Sequence, residues 1–470
     1  MMNTTSEFSS NSLYGLKKEA FQVQIAPDEL NLPFPLTPVQ YAYFIGRQKI
    51  YDLGGVATHY YFEYDYQDLD IFALEKVWNW LIQEHPMMRA VIASSGLEQR
   101  ILQFVPLLQI PVDDISKLTK EEQNTYLSKK RKKLSHQVLN IHEWPPFDVR
   151  VTKIQENLFR LHLDFDNIFF DAWSVMHIIN MQSKLYKQNL PNHTNKNFSF
   201  RDYVITVQKL SESTSANDSK NYWRSHIKEL PPAPQLPIKQ QPKNIKNVYF
   251  TRRLVRLKKK IWDNLCAKAH ENGISPSVLI LSVYAQILKR WSNTSHFTIN
   301  TTLFNRLPIN PDVDTIIGDF TSLILLEIDL SKNETFVDSA RNIQKQLWKD
   351  IEHSTVNTLD ILRDIEKDRK YSASSSMPIV FTSAIGIGDF SNVDTKLNGT
   401  LVYHITQTPQ VWLDHQVYED NGDLVLTWDA VEDLFPEELL DSLVQAQEKL
   451  LLELSSGKLW NSKKCIPLPP

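Results

Sequence analysis

HLDFDNIFFDAWS, residues His162 to Ser174, decides how the chain is read: an alternating strand runs into an acidic turn and then into a helix. Asp166 and Asp171 close an apolar run that otherwise reads as a buried strand end. Carboxylates seldom sit in such surroundings without a partner. Two readings stay open: Asp171 caps the helix beginning at Ala172 while Asp166 pairs with an arginine, or the two acids mark a catalytic channel. His162 shares a strand face with Asp164 and Asp166, as a general base or as a satisfied core histidine.

Outward from this stretch, strands are expected at Phe147 to Ile154 and Leu158 to Phe165, and a helix at Ala172 to Tyr186. Upstream, residues to about Glu29 are polar and unpatterned. Thr37 and Pro38 open a helix with Tyr41, Phe44 and Ile45 on one face. Val56 to Tyr64 reads as a strand, Ile71 to Leu81 as a helix stopped at His85-Pro86, Arg89 to Ala93 and Arg100 to Val105 as short strands, and Lys120 to Leu134 as a charged helix. Downstream, the low-complexity segment Ser211 to Asn221 reads as an exposed connection, and Leu230 to Pro237 as an extended surface segment. Strands follow at Val248 to Leu257, Phe297 to Thr302, Thr321 to Leu330, Pro378 to Ser383, Thr400 to Ile405, Pro409 to Tyr418 and Leu424 to Asp429. Helices are expected at Lys258 to Glu271, Ser277 to Trp291, Phe336 to Glu352, Val356 to Lys367 and Pro436 to Leu454. The mixture predicts an α/β protein in two halves: a lead-in (1–29), an N-terminal lobe (30–214), a C-terminal lobe (215–458) and a linker (459–470).

Composition narrows the function. The 470 residues are 42% hydrophobic and 23% charged, and 51 basic against 55 acidic side chains leave a net charge of -4, the balance of a soluble globular protein with no bias toward nucleic acid. MMNTTSEFSS is no secretory signal, and the apolar run Val278 to Leu288 is interrupted and too short for a bilayer, so no membrane association and a cytoplasmic location are expected. Cys266 and Cys465 alone make neither a disulfide framework nor a cysteine-rich metal site. No GxGxxG or Walker-type phosphate loop occurs. Catalysis would therefore rest on placed polar side chains. In Thr406 to Asp414, alternation puts Asp414 beside Trp412 in an expected strand interior, where burial would raise its pKa toward use as a general acid or base, unless a salt bridge holds it. Thr382 and Ser383 end an apolar strand. Asn305 and Arg306 supply an amide and a guanidinium able to bind a carboxylate such as Asp171 bidentately.

Together and in this order these stretches resemble the heterocyclization domains of nonribosomal peptide synthetases, a branch of the condensation-domain family. FPLTPVQYAYFIGR (Phe34 to Arg47), HPMMRAV (His85 to Val91) and LPPAPQLP (Leu230 to Pro237) resemble the first three motifs. SPSVLILSVYAQILKRW (Ser275 to Trp291), IGDFTSLILL (Ile317 to Leu326), PIVFTS (Pro378 to Ser383) and TQTPQVWLD (Thr406 to Asp414) resemble the later four. Asp166 and Asp171 match the DxxxxD that replaces the HHxxxDG of ordinary condensation domains.

The resemblance implies two chloramphenicol-acetyltransferase-like lobes forming a V-shaped pseudodimer with a tunnel between them. It implies condensation of a carrier-bound acyl or peptidyl thioester with carrier-bound cysteine, serine or threonine, then cyclodehydration to a thiazoline or oxazoline. Asp414, Thr382 and Asn305 match the residues tied to cyclodehydration. Asp166 and Asp171 would organise the tunnel, Asp171 through Arg306, and Gln410, Trp412 and Ser383 would contact tunnel or substrate. No cofactor or metal would be bound by the domain itself; substrates would arrive on phosphopantetheine arms of donor and acceptor carrier proteins. Cys465 to Pro470 resembles a linker toward an adenylation domain. Glu84 and Asn310 depart from the motifs, which expect arginine and histidine there. The alternatives are amide-forming condensation without cyclization, or a non-catalytic carrier-docking domain.

Overall fold

The computed structural model describes residues 23–194, 196–362, 377–386, 397 and 399–463. In chain order its strands are β1 (Phe34–Pro35), β2 (His59–Gln67), β3 (Ala90–Ile92), β4 (Glu98–Ile101), β5 (Val112–Asp114), β6 (Phe147–Lys153), β7 (Leu158–Asp166), β8 (Phe250–Leu257), β9 (His296–Phe304), β10 (Thr321–Asp329), β11 (Ile379–Ser383), β12 (Thr400–Gln407), β13 (Leu413–Asp420) and β14 (Asp423–Val431). The longer helices are α1 (Pro38–Gly46), α2 (Ile71–Glu84), α3 (Lys120–Leu134), α4 (Ala172–Leu185), α5 (Phe200–Glu212), α6 (Asn217–Glu229), α7 (Lys259–Glu271), α8 (Pro276–Trp291), α9 (Phe336–Glu352) and α10 (Leu439–Ser455).

Two large sheets organise the molecule. One has the order β12-β2-β7-β6-β5, the other β10-β9-β11-β13-β14-β8, and β1-β4-β3 form a small third sheet. In the second sheet β11 runs parallel to both β9 and β13, while the other pairs are antiparallel. Each large sheet has its own hydrophobic core: Trp78, Leu81, Phe147, Phe165 and Phe170 in the first, and Leu279, Val283, Phe381, Leu426 and Trp428 in the second. Strand β7 is buried on both faces from Leu161 to Asp166, which explains why its polar residues all need partners.

Local chemistry sets several helix starts. Thr37 and Gln40 form a reciprocal capping box at the start of α1, and Ser275 accepts from the Val278 amide ahead of α8, with proline at the first helical position in both. The buried residues of α1 are Val39, Gln40 and Gly46, whereas Tyr41, Phe44 and Ile45 are only partly covered. A Cβ on Gly46 would lie 2.7 Å from Pro409 Cγ, so the close approach of the two segments requires glycine.

Other boundaries move for identifiable reasons. Arg89 closes a 3-10 turn and caps the carbonyls of Ile82, Gln83 and Leu102, shortening the strand expected there to Ala90–Ile92. The strand expected from Arg100 to Val105 is β4, which starts and ends earlier, and β2 starts three residues later than expected. Ser211 to Asn221 is not an open connection: α5 ends at Glu212, a 3-10 turn spans Thr214–Ala216, and α6 begins at Asn217. Its Ser, Thr and Asn residues suit helix ends as well as loops, and Ala216 and Trp223 already belong to the second core. From Pro27 the expected lead-in forms a 3-10 turn docked on α5, where Ala26 N–H donates to Asp202 and Glu29 pairs with Arg201. The strand expected from Pro409 begins only at Leu413, because Gln410 takes a left-handed backbone (φ 65°) in a turn closed by the Val411 amide on the Thr408 carbonyl. Residues 1–22, 363–367 of the helix expected to Lys367, and the tail from 464 with Cys465 lie outside the described residues.

The connectivity contains one feature that a division into halves does not anticipate. Strand β12 lies between β11 and β13 in sequence yet adds to the edge of the first sheet, pairing Thr406 with Tyr60 and Ile405 with Tyr61. The late chain therefore completes the early sheet, and the seam between the sheets is crossed by backbone.

Candidate active site

The acidic turn after β7 resolves into two partnered carboxylates. Asp166 is fully buried and accepts from Arg47 Nη1 at 2.7 Å and from the Ile168 amide at 3.2 Å. Asp171 is the N-cap of α4: its Oδ1 accepts from the Ser174 amide at 2.7 Å. Arg306 Nη2 straddles both Asp171 oxygens at 3.0 and 3.2 Å, a single-nitrogen contact in place of the expected two-nitrogen fork. Arg306 Nη1 is occupied instead by the carbonyls of Val313 and Ile316, and its guanidinium lies 3.9 Å from the centre of the Phe320 ring. His162 is a core histidine. It contacts the Tyr61 hydroxyl and Thr152, and burial pushes its ring down to about 2. His162 and Asp164 pair across the sheet with Glu63 and Tyr61, on the face of β2 opposite Tyr60, Phe62, Tyr64 and Tyr66. Those four rings form a ladder with neighbouring centroids 6.2–6.3 Å apart.

That ladder lines a cavity of about 590 Å³ at the seam. Val175 and Ile179 of α4 contribute from the first lobe, Thr382, Gln416 and Tyr418 from the second sheet, and Thr406 from the crossing strand. A second cavity of about 710 Å³ lies along β1, α1, α5 and β10, lined by Asn305, Asp319, Tyr41 and Tyr203 among others. The expected tunnel thus takes the form of two chambers, each walled by both lobes.

Register places the downstream candidates on one sheet face. Thr382 pairs with Gln416 and Val380 with Asp414 across β11 and β13, so Thr382 and Asp414 are diagonal neighbours facing the seam. Asp429 of β14 pairs with Asp414, and Arg252 of β8 with Asp429. Arg252 holds Asp429 in a two-nitrogen ion pair. Thr406 donates to Asp429 at 2.6 Å through its hydroxyl and at 3.1 Å through its amide. Gln416 then donates to Thr406 at 2.9 Å and to Asp414 Oδ2 at 2.7 Å. Asp414 Oδ1 has no partner among the described residues. Asp414 is 6% exposed. Burial, with Asp429 adding, pushes its carboxyl up to about 7, so near neutrality it is divided between acid and base.

The remaining candidates separate. Thr382 donates to Thr302 at 3.0 Å and faces the first chamber. Asn305 lines the second; its Nδ2 reaches the Ser354 carbonyl at 3.4 Å and its buried Oδ1 has no partner among the described residues. Ser383 departs from the expected chamber contact: alternation turns it to the opposite face, where it donates to Ser277 of α8. Gln410 is exposed in the turn before β13, and Trp412 packs against the second core, so neither lines the two chambers. Glu84 accepts from the Thr194 amide and hydroxyl and from His193, and Asn310 accepts from the Asp312 amide; both departures from the motifs are locally satisfied.

Sequence reasoning missed Gln416, Thr406, Asp429, Tyr60 and Asp319. Each is an ordinary polar residue on a strand or strand end, and only cross-strand register assembles them. The charges of Asp414, Asp171 and Asp319 all bear on the Tyr60 hydroxyl, whose pKa is raised chiefly by burial. Among the described residues no group of three or more His, Cys, Asp or Glu is placed to hold a metal.

The condensation-domain family profile matches residues 34–459. Pyochelin synthetase PchF of Pseudomonas aeruginosa is 34% identical over 436 residues, 92% of this chain and 24% of that protein. Phenyloxazoline synthase MbtB of Mycobacterium sp. (strain MCS) is 34% identical over 417 residues, 88% of this chain and 35% of that protein. The chain therefore spans about a quarter to a third of the length of these relatives. The EpoB nonribosomal peptide synthetase cyclization-docking bidomain from Sorangium cellulosum superposes with a TM-score of 0.86 at 33% identity, covering 94% of this chain and 88% of that one. The two sheets with their helices are accordingly the paired chloramphenicol-acetyltransferase-like lobes of such domains. The profile spans both lobes, and the superposition with a cyclization domain extends over nearly all of the chain: it belongs to the condensation-domain family, in the heterocyclization branch of nonribosomal peptide synthetases.

Proposed function

We propose that this domain joins a carrier-bound acyl or peptidyl thioester to carrier-bound cysteine, serine or threonine and then closes the side chain onto the new amide, releasing water to leave a thiazoline or oxazoline. Both substrates arrive on phosphopantetheine arms of donor and acceptor carrier domains, in the cytoplasm, within a larger synthetase that includes an adenylation domain. The acceptor amine attacks the donor thioester, and the donor's thiol departs with a proton. The side-chain thiol or hydroxyl then attacks the amide carbonyl to give a cyclic hemiaminal. In the last step Asp414 protonates the hemiaminal hydroxyl, the C–O bond breaks as the ring nitrogen's lone pair forms C=N, water leaves, and the N–H proton returns to Asp414. Thr382 positions the departing hydroxyl, and Asn305 orients the chain from the second chamber.

One observation carries the reading: a buried Asp414 carboxyl, raised to about 7, with one oxygen held by Gln416 and the other without a partner among the described residues. Such a group both gives and takes a proton near neutral pH. Amide formation needs no such acid, which favours the cyclizing reading over plain condensation. With loaded donor and acceptor carriers, Asp414→Asn and Thr382→Ala should leave amide on the acceptor carrier, 18 Da heavier than the ring by intact-protein mass spectrometry. Ring formation should fall by about 100-fold or more in Asp414→Asn. Unchanged ring yield in both variants would sink the assignment.

A further inference from the structure

We infer that Asp319 is a further catalytic acid of ring closure, reaching the substrate from the Asn305 chamber and carrying a proton from the attacking heteroatom to the amide oxygen. This rests on the cyclizing reading above. Ring closure needs two proton exchanges, and Asp414 accounts for only the second.

Asp319 is 0% exposed, at the wall of the 710 Å³ chamber beside Asn305. Its Oδ1 accepts from the Thr321 amide at 3.1 Å, while its Oδ2 has no partner among the described residues. Thr321, through its amide and its hydroxyl, favours the anion without outweighing burial, and asparagine or serine would make the same bond to the amide. A buried carboxyl with an idle oxygen is costly as an anion and, when protonated, is a donor waiting for an acceptor. The charged and titratable groups around it do not neutralise it. Both terminal nitrogens of Arg306 are taken by Asp171 and by the Val313 and Ile316 carbonyls, and its charge lowers Asp319 less than burial raises it. Asp171 adds negative charge, and the phenols of Tyr43 on α1 and Tyr60 on β2 feel both Asp319 and Asp414. Burial, with Asp171 adding, pushes Asp319 up to about 8, so it holds its proton at neutral pH.

As the acceptor's thiol or hydroxyl attacks, the C–S or C–O bond forms and the carbonyl π bond breaks. Asp319 gives its proton to the oxygen, and the heteroatom's proton passes to the Asp319 carboxylate. Asp319 ends as it began, and the hemiaminal is handed to Asp414. The two carboxyls thus divide the reaction, Asp319 from the second chamber and Asp414 from the sheet face it shares with Thr382, and the charges of both bear on the Tyr60 hydroxyl.

The test uses the whole domain with donor-loaded carrier and acceptor carriers loaded separately with cysteine, serine and threonine. Asp319→Asn keeps the Thr321 contact and removes the acid. Amide should form at the wild-type rate, ring formation should fall about 100-fold or more, and the melting temperature at pH 8 should be equal to or above wild type. Asp319→Ser should behave the same way. The wild-type ring-closing rate should decline above pH 8, a limb absent from the residual rate of Asp319→Asn. Unchanged ring yield in the variants overturns the inference alone. So does loss of amide formation and stability together in both, which marks a structural carboxyl. A wild-type domain that stops at the amide overturns the underlying reading, and this inference with it.

Discussion

Asp171 and Arg306 meet with side-chain exposures of 0% and 4%, so neither charge is relieved by water. A buried pair contributes little relative to a well-packed apolar pair, but removing one partner strands the other. Asp171→Asn keeps an oxygen for the Ser174 amide and so retains the cap, yet leaves the Arg306 guanidinium facing a neutral amide. The expected loss is about 3–5 kcal/mol in urea unfolding, with activity falling at the same time because the 304–306 segment that carries Asn305 loses its anchor. A loss below about 1 kcal/mol, the size of a cap alone, would show that the ion pair is not what holds the turn. Part of this was legible in the sequence. An acid immediately before a helical pattern predicts a cap, and FNR offered the guanidinium. The partner of Asp166 was not legible, because Arg47 lies 119 residues upstream, just past the end of α1, and nothing around it advertises a carboxylate. Asp414 was legible as a buried carboxyl, but for a partly mistaken reason: Trp412, the neighbour invoked, precedes the strand, and the pKa is raised by burial at the seam and by the charge of Asp429.

At the scale of elements, β12 links the lobes. Alternation identifies a strand and its two faces but not its neighbour in the sheet, so the crossing from the second lobe to β2 could not be read from residues 400–407 alone. The same gap hid Gln416 and Asp429, whose roles depend on strands β8, β13 and β14 lying side by side. The crossing strand is stapled to the second sheet by Thr406, whose hydroxyl donates to Asp429 and accepts from Gln416. Thr406→Val preserves shape and β-branching while removing both bonds. Asp429 would keep Arg252 but lose a donor, and the Gln416 amide would lose an acceptor, for an expected cost of about 1–3 kcal/mol. Because Gln416 also holds Asp414, ring closure should slow more than amide formation. Stability and rate ratio both equal to wild type would mean that the staple is idle. The charged helix expected from Lys120 to Leu134 is α3 with those bounds, and in the structure a capping box between Thr119 and Glu122 fixes its start.

Across the whole molecule, buried titratable groups set opposing slopes of stability against pH. Burial holds His85 and His415 at about 3 and His136 and His177 at about 4, below their ordinary value of 6.5. The unfolded chain therefore binds more protons at these rings, and stability from them rises with pH until about 6.5. Asp414 and Asp350 at about 7, and Asp319 at about 8, are displaced upward from 3.8. For these the folded state binds more protons, so stability falls as pH rises from near 4 to the folded value, and the full penalty remains above it. Above pH 6.5 these four histidines have no remaining slope, and only the falling contributions continue. The melting temperature should therefore decline from about pH 6.5 to 8.5 without unfolding at the midpoint of that range. Asp319→Asn should flatten the decline all the way from pH 6.5 to about 8, and Asp414→Asn only the part below about 7, each measured by scanning calorimetry in matched ionic strength. Since each carboxyl acts through its own proton, the two effects should add in the double variant. A decline of unchanged slope in the double variant would show that these two acids are ionised in the folded domain at neutral pH, and would remove the proton stores on which both steps of ring closure depend.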